Sequence, residues 1–282
     1  MTALDLCTAW PVPTVAAAVM RGGSVVSARG DVDAKFRLAS LSKPMTAWAA
    51  LVAVEEGIVG LDAVIDEQFA GQSGCTLRHL LSHAGGYSFT GTDPIAVPER
   101  TRMYSNSGVE LAAAWIESHA EIPFAEYLAL AVFEPLGMTA ELIGSPAYGV
   151  WASADDVVRF LAEARTPRLL ASATADETVR VQFPLLGGMV PGVGRYKRCP
   201  WGLGFEIRGE KAPHWTGTLN DAATYGHFGG AGTMMWTDPA ADVSLVALTD
   251  RPFDQWSGDA LRHWPELSDA VLDEFAVTRP VG

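Results

Sequence analysis

Residues 36–56 read FRLASLSKPMTAWAALVAVEE, and the change of pattern inside this stretch decides the fold. Phe36-Arg37-Leu38-Ala39 reads as an extended run, whereas Pro44 to Glu56 is Ala-rich, almost uncharged and closed by Gly57. A helix that is apolar on nearly every face belongs in the interior, so the stretch predicts a buried helix entered from an extended segment. Ser40 and Lys43 stand at that junction. Ser40 falls at or near the helix N-terminus and Lys43 one turn later, which lets both side chains face one cleft.

Working outward, Thr14 to Ala28 (TVAAAVMRGGSVVSA) is two strand-like runs around Arg21-Gly22-Gly23, the pattern of a β-hairpin. Toward the C-terminus helical patterns follow one another at Leu77–Ser82, Ser107–His119, Phe124–Leu136 and Ala154–Ala164, punctuated by Gly85-Gly86, Pro123 and Gly137. After a Gly- and Pro-rich crossing at 187–194, strand patterns return at Trp201–Arg208, Ala223–Trp236 and Val243–Thr249, with Asp238-Pro239 as the turn between the last two. A final helix runs from about Gly258 to Phe275, and Pro265 is the residue able to break it. This order predicts an α+β protein in which an antiparallel sheet, flanked by helices, is assembled from both ends of the chain around an inserted, mostly helical lobe. The expected unit is one catalytic domain over 1–282, with the sheet-bearing part at about 1–60 and 195–282 and the lobe at about 61–194.

The chain has 282 residues with 20 basic and 33 acidic side chains, a formal charge of −13. An acidic surface argues against nucleic acid or an anionic membrane as partner, since both need clustered Lys and Arg. With 49% hydrophobic and 19% charged residues the chain is rich enough in apolar side chains for a sizeable core, which excludes disorder and coiled coil. Cys7, Cys75 and Cys199 form neither a metal motif nor an even disulfide set, and Leu6–Met20 lacks a preceding basic residue and holds Trp10, Pro11 and Pro13, so it makes a poor signal peptide. A cytoplasmic protein without cofactor or metal is expected; the sequence assigns no oligomeric state.

Three short stretches can carry chemistry. In Ser40-Leu41-Ser42-Lys43 a desolvated amine can act as base for a serine hydroxyl, while free N–H groups at a helix start suit a developing oxyanion. In Tyr104-Ser105-Asn106, preceded by Arg100 and Arg102, a tyrosine beside cations has its phenolate favoured and can relay protons, and the Asn106 amide can hydrogen-bond a lysine and a substrate carbonyl. In His227-Phe228-Gly229-Gly230-Ala231-Gly232 the glycines sit inside a strand pattern, Tyr225–Trp236, and would admit a substrate against the strand edge. Each has a plainer reading, as a helix cap, a capped loop and a bulge beside a core histidine. His79 and His83, at i and i+4, invite a zinc reading, but Leu77, Leu80 and Leu81 make a packed helix and HLLSH has no glutamate after its first histidine. Asp155 and Asp156 read as helix-capping acids.

Taken together and in this order, SxxK, YxN and HxG resemble the penicillin-recognising serine hydrolases, most closely the branch with class C β-lactamases, D-amino-acid peptidases and related esterases. LRHLLSHAGG (77–86), EPLGM (134–138), WGLG (201–204) and WTDP (236–239) resemble the same family, so that the resemblance covers about Phe36 to Asp250. It implies Ser40 as acylated nucleophile, Lys43 as its activator, Tyr104 as proton shuttle, an oxyanion hole from the N–H groups of Ser40 and Gly230, and substrate contacts at Asn106, His227, Phe228 and Gly229. The implied substrate is a small ester, amide or lactam. Phe228 departs from the pattern, because relatives that hold a substrate carboxylate present threonine or serine there. The favoured expectation is therefore an esterase; a true β-lactamase or D-peptidase, or a non-catalytic ligand-binding member, are the alternatives, and the intact Ser40, Lys43, Tyr104 set argues against the last.

Overall fold

The computed structural model describes residues 2–276; residue 1 and residues 277–282 lie outside it. In chain order the elements are β1 (Val15–Arg21), β2 (Ser24–Arg29), β3 (Phe36–Arg37), α1 (Ser42–Glu55), α2 (Glu67–Ala70), α3 (Leu77–Leu81), α4 (Asn106–Ala120), α5 (Phe124–Leu128), β4 (Glu141–Leu142), β5 (Val150–Ala152), α6 (Ala154–Arg165), α7 (Ser172–Val179), β6 (Gly188–Val190), β7 (Gly194–Tyr196), β8 (Glu206–Ile207), β9 (Tyr225–Gly229), β10 (Thr233–Asp238), β11 (Val243–Thr249) and α8 (Ser257–Phe275). Six strands form an antiparallel sheet in the order β2-β1-β11-β10-β9-β8, so the first hairpin of the chain pairs with its last strand. The mixed α+β architecture with helices on both faces of an antiparallel sheet is the one the sequence predicts.

Period-2 alternation assigns each strand residue to a face. On one side Ala16, Ala18, Met20, Tyr225, Met235, Val246 and Leu248 pack with Met45, Trp48 and Phe160 of α1 and α6. On the other side Ala17, Val19, Met234, Trp236, Leu245 and Ala247 pack with Trp264, Leu267 and Val271 of α8. Because both faces are covered, β11 (VSLVALT) is buried at all of its positions. Helix α1 is buried at nearly every turn, as its composition requires, and Gly204 lets it sit close: a Cβ there would lie 2.6 Å from Ala47 Cβ and 3.0 Å from Pro44 Cα, and φ is +83°.

Several boundaries differ from the sequence reading. The helix predicted from Pro44 begins at Ser42, because Ser42 Oγ bonds to Ala39 O and the turn continues backward into a 3-10 turn, Ala39–Leu41. The single strand pattern predicted for 223–236 is two strands, since Gly230-Ala231-Gly232 forms the β9–β10 turn, with Gly232 at φ +85°. The Gly- and Pro-rich crossing contains the small β6–β7 hairpin, and Trp201–Arg208 yields only the short β8 because Gly202–Gly204 turns the chain, leaving Trp201 bridged to Glu206. Helix α8 runs unbroken through Pro265. The expected helix at Phe124–Leu136 is α5 followed by a wider π-type turn over Ala129–Phe133.

Gly204→Ala is expected to lower stability by about 2–4 kcal/mol, from the left-handed backbone and the overlap with α1. Gly57→Ala, at φ +75° with open space around its Cβ, should cost only about 1–2 kcal/mol. Urea unfolding of the two variants measures the difference; equal losses would show that α1 does not depend on the close approach.

Candidate active site

The segment that carries Ser40 is fixed by contacts from distant parts of the chain. Leu38 N–H donates to Val150 O at 2.8 Å, and Thr233 Oγ1 donates to Leu38 O at 2.8 Å. Ser42 Oγ donates to Ala39 O at 2.6 Å and accepts from Val150 N–H at 3.0 Å. Between these bonds Ala39 is held at φ +50°, a left-handed conformation that an alanine adopts only under constraint. Gly229 must be glycine for the same packing, because a Cβ there would meet Leu38 O and Thr233 Oγ1, each at 2.4 Å.

Ser40 sits in the 3-10 turn just ahead of α1 rather than at the first α-helical residue. Its Oγ lies 3.1 Å from Lys43 Nζ. That ammonium is 1% exposed and also reaches Asn106 Oδ1 at 2.7 Å and Ala147 O at 3.0 Å. Among the described residues no carboxylate comes within ion-pair distance of it. Burial therefore pushes the amine down to about 7, against a smaller opposing effect from Glu110. Stereochemistry follows from the partners. Asn106 Oδ1 and Ala147 O can only accept, so a neutral Lys43 spends its two N–H groups on them and its lone pair is left toward Ser40.

Asn106 is the first residue of α4, one position earlier than its predicted start, and Ser105 caps the helix by accepting from Gly108 N–H at 2.9 Å. Tyr104 stands with its ring centre 4.8 Å from Lys43 Nζ and its hydroxyl 3.4 Å from His227 Nε2. The expectation of a favoured phenolate is wrong. Burial, with Glu206 nearby, pushes the phenol well above its ordinary value despite the Ser40 hydroxyl beside it. Arg102 does not help, because its guanidinium donates to the carbonyls of Ser82, Gln182 and Phe183.

His227 Nδ1 donates to Phe228 O at 2.6 Å, which leaves Nε2 as the acceptor for Tyr104. Burial and the neighbouring Lys43 push this histidine down to about 3, so it is neutral at pH 7. The strand edge is open here: β8 pairs only with Tyr225 and Gly226, leaving 227–229 free on that side. Gly230 and Ser40 line one cavity of about 400 Å³, and among the described residues neither backbone N–H has a protein acceptor. Two such donors can hold an oxyanion.

Tyr104, Trp201, Phe89 and Phe253 form much of that cavity's wall. Phe228 also reaches it, but its ring is 8% exposed and packs on Trp215, Phe253 and Trp264 as part of the core under α8. Among the described residues no arginine lines this cavity. Arg198 donates to Pro184 O, Arg251 to Pro11 O and Gln255 O, and Arg195 lines an adjoining cavity. The charged groups on the wall are Glu206 and Asp254. Glu206 accepts from Lys211 (2.8 Å), His214 (3.2 Å) and Trp215 (2.7 Å), so both of its carboxylate oxygens are engaged and its side chain is buried at the wall.

Sequence reasoning missed two contributors. Ala147 acts through its carbonyl, which no side-chain pattern advertises. His83, read as part of a packed helix, lies beyond the end of α3 at φ +59° and belongs to the site. Its Nδ1 accepts from Ser105 N–H at 3.2 Å and its carbonyl from Met103 N–H at 2.9 Å, so one residue clamps both sides of Tyr104. Its ring packs 4.7 Å from both Tyr104 and Trp201. His79 instead accepts from Thr76 N–H in the cap of α3 and faces Glu99. Among the described residues no three His, Cys, Asp or Glu side chains gather where a metal could bind, and no helix is long and apolar enough to cross a membrane.

A serine–lysine pair at the start of a buried helix, a Tyr-x-Asn turn and an open strand edge, set on a helix-flanked antiparallel sheet, define the architecture of the penicillin-recognising serine hydrolases. The sequence matches the Beta-lactamase family over residues 8–266, and the chain belongs to that family. It is similar to the crystal structure of a β-lactamase, Mb2281c from Mycobacterium bovis, at 42% identity and a TM-score of 0.92, covering 98% of this chain and 100% of that one. It shares its fold with EstCE1, a hydrolase with promiscuous acyltransferase activity, at 21% identity and a TM-score of 0.78 over 96% of each chain. Penicillin-binding protein 4* of Bacillus subtilis (strain 168) is 34% identical over 131 residues, 36% of this chain; the chain spans 29% of that relative's length.

His83→Ala should destabilise the protein by about 2–4 kcal/mol, since it opens a hole beside Trp201 and leaves the buried Ser105 N–H without an acceptor. His83→Asn, which keeps an acceptor and tolerates a positive φ, should recover part of that loss. Denaturant unfolding decides, and equal losses in the two variants would show that the acceptor role is idle.

Proposed function

We propose that the protein is a serine hydrolase that cleaves small neutral esters through an acyl-enzyme on Ser40. The observation that carries this reading is the buried Lys43, held by Asn106 Oδ1 and Ala147 O with its Nζ 3.1 Å from Ser40 Oγ, and pushed by burial down to about 7. Neutral Lys43 takes the Ser40 proton as Oγ bonds to the ester carbonyl carbon, and the Ser40 and Gly230 N–H groups hold the oxyanion. Collapse of that intermediate breaks the bond to the alkoxide, which takes the Tyr104 hydroxyl proton; the Lys43 ammonium then returns a proton to Tyr104. Water then enters the vacated space and gives a proton to the same pair as its oxygen bonds to the acyl carbon; the bond from that carbon to Ser40 Oγ breaks, Oγ takes the proton back, and the acid leaves. Asn106 orients Lys43 and the substrate carbonyl group, and the free edge at His227–Gly229 receives the acyl portion.

A neutral ester suits the cavity better than a β-lactam or a peptide C-terminus. Those substrates carry a carboxylate, and it would meet neutral His227 and Phe228 in a cavity whose charged lining residues among those described, Glu206 and Asp254, are both acidic rather than cationic. On this reading 1–282 is one catalytic unit, with the lobe at 61–194 closing the cleft over the sheet. The three cysteines, all free and buried, fit a reducing cytoplasm.

Ser40→Ala should abolish labelling by a fluorophosphonate in intact-mass measurements and lower kcat on p-nitrophenyl butyrate by about 10⁴-fold or more. Retention of wild-type turnover would exclude the mechanism. In the wild type, kcat/KM should fall as pH drops below about 7, where Lys43 takes up its proton. His227 adds no limb there, being neutral down to about 3. A rate flat from pH 5 to 8 would assign the base elsewhere. Finally, kcat/KM for p-nitrophenyl butyrate should exceed that for nitrocefin, and the opposite order would make the lactamase reading the better one.

A further inference from the structure

Beside the Ser40 cavity lies a second one of about 460 Å³, whose lining includes Ile95, Met103 and Met189 together with Arg102 and Arg195. The two share Phe89, Tyr104 and Pro191 as common walls, so the second cavity adjoins the first on the Tyr104 side. Its outer part is unusually apolar for surface: Phe89 is 52% exposed, Ile95 64% and Met189 48%. Scattered apolar side chains need no explanation, but here three of them edge one cavity that adjoins the Ser40 cavity.

The proposed chemistry fixes which half of the substrate lies there. The leaving oxygen must reach the Tyr104 hydroxyl to take its proton, so the carbons attached to that oxygen continue along the Tyr104 wall. We infer that the second cavity is a subsite for the leaving alcohol, and that the preferred substrates are esters of long or bulky apolar alcohols. This rests on the reading of Ser40 and Tyr104 above, and it adds the identity of the group that departs. Phe89, stacked 5.9 Å from Tyr104 at 24°, then bridges the two cavities and covers the first carbons of the alcohol.

The test is a pair of ester series hydrolysed by the full chain in a pH-stat. With butyrate held constant and the alcohol lengthened from ethyl to octyl, kcat/KM should rise roughly twofold per methylene, less than full burial of a CH₂ would give because the cavity is open on one side. With ethanol held constant and the acyl chain lengthened, no comparable rise is expected. Met189→Asp and Ile95→Asp change exposed positions remote from Ser40, so both should fold, keep wild-type turnover of ethyl butyrate and flatten the alcohol series. A slope in the acyl series instead, a flat alcohol series in the wild type, or an alcohol slope untouched by both variants would overturn the inference. Each of those outcomes leaves ester hydrolysis through Ser40 intact. Absence of hydrolysis across both series, or activity surviving in Ser40→Ala, would instead overturn the function on which the inference rests.

Discussion

An amine buried without a counter-ion is the constraint around which this structure is arranged. Moving Lys43 from an ordinary value of 10.5 to about 7 means that the interior disfavours its ammonium by on the order of 5 kcal/mol, at about 1.4 kcal/mol per pKa unit. A nearby carboxylate would remove that penalty and, with it, the neutral amine. Instead the amine is given oxygen acceptors of no net charge, the Asn106 amide and the Ala147 carbonyl, which satisfy its hydrogens without stabilising its charge. Glu110, the acid whose field reaches Lys43, is engaged by the Ser145 hydroxyl, two residues from Ala147. The same loop is tied to α1 by Thr46 Oγ1 donating to Pro146 O at 2.7 Å. Local packing thus holds an amine whose proton is loosely bound near neutral pH.

The parts of this arrangement visible in the sequence are those set by short-range chemistry. Ser40 and Lys43 share a helical turn, Tyr104 and Asn106 flank a capping serine, and the apolar run after Pro44 announces a buried helix whatever its surroundings. What the sequence reading missed depends on partners far away in the chain. The run Tyr225–Trp236 looks like one strand, since nothing local says that Gly230–Gly232 reverses the chain to place Thr233 against Leu38. Arg100 and Arg102 suggested a phenolate at Tyr104, yet proximity in sequence says nothing of direction, and the Arg102 guanidinium is spent on three carbonyls. His83 read as a packing residue because its clients, the N–H groups of Met103 and Ser105, lie about 20 positions on.

Charge in the cleft has a similar history. Glu206 lies in the short edge strand β8, and its buried partner Lys211 follows after five residues, so an ion pair could have been guessed. Burial alone would raise the Glu206 carboxyl, but Lys211 and His214, by charge and by hydrogen bond, outweigh it and hold Glu206 ionised well below the usual carboxylate range. Buried pairs of this kind contribute little net stability, because desolvation offsets attraction. Their effect here is positional: the pair and the bonds from His214 and Trp215 tie β8 to the loop at 211–215 beside the cavity wall.

Strain and long-range contact are linked in the same way. Ala39 at φ +50° and His83 at φ +59° flank the chemistry, and residues of their kind hold such conformations only when surrounding bonds over-determine them. The bonds holding the Ala39 turn come from Val150 and Thr233, more than 100 and nearly 200 positions away, and those at His83 come from the turn before α4. Neither strained residue is supported by its own element alone. Contacts of such separation form late, after loop closure between distant segments has been accomplished. The Ser40 turn therefore reaches its geometry only when hairpin β9–β10, strand β5 and the helical block are all in place, so a partly folded chain that already contains α1 still lacks an aligned serine and lysine.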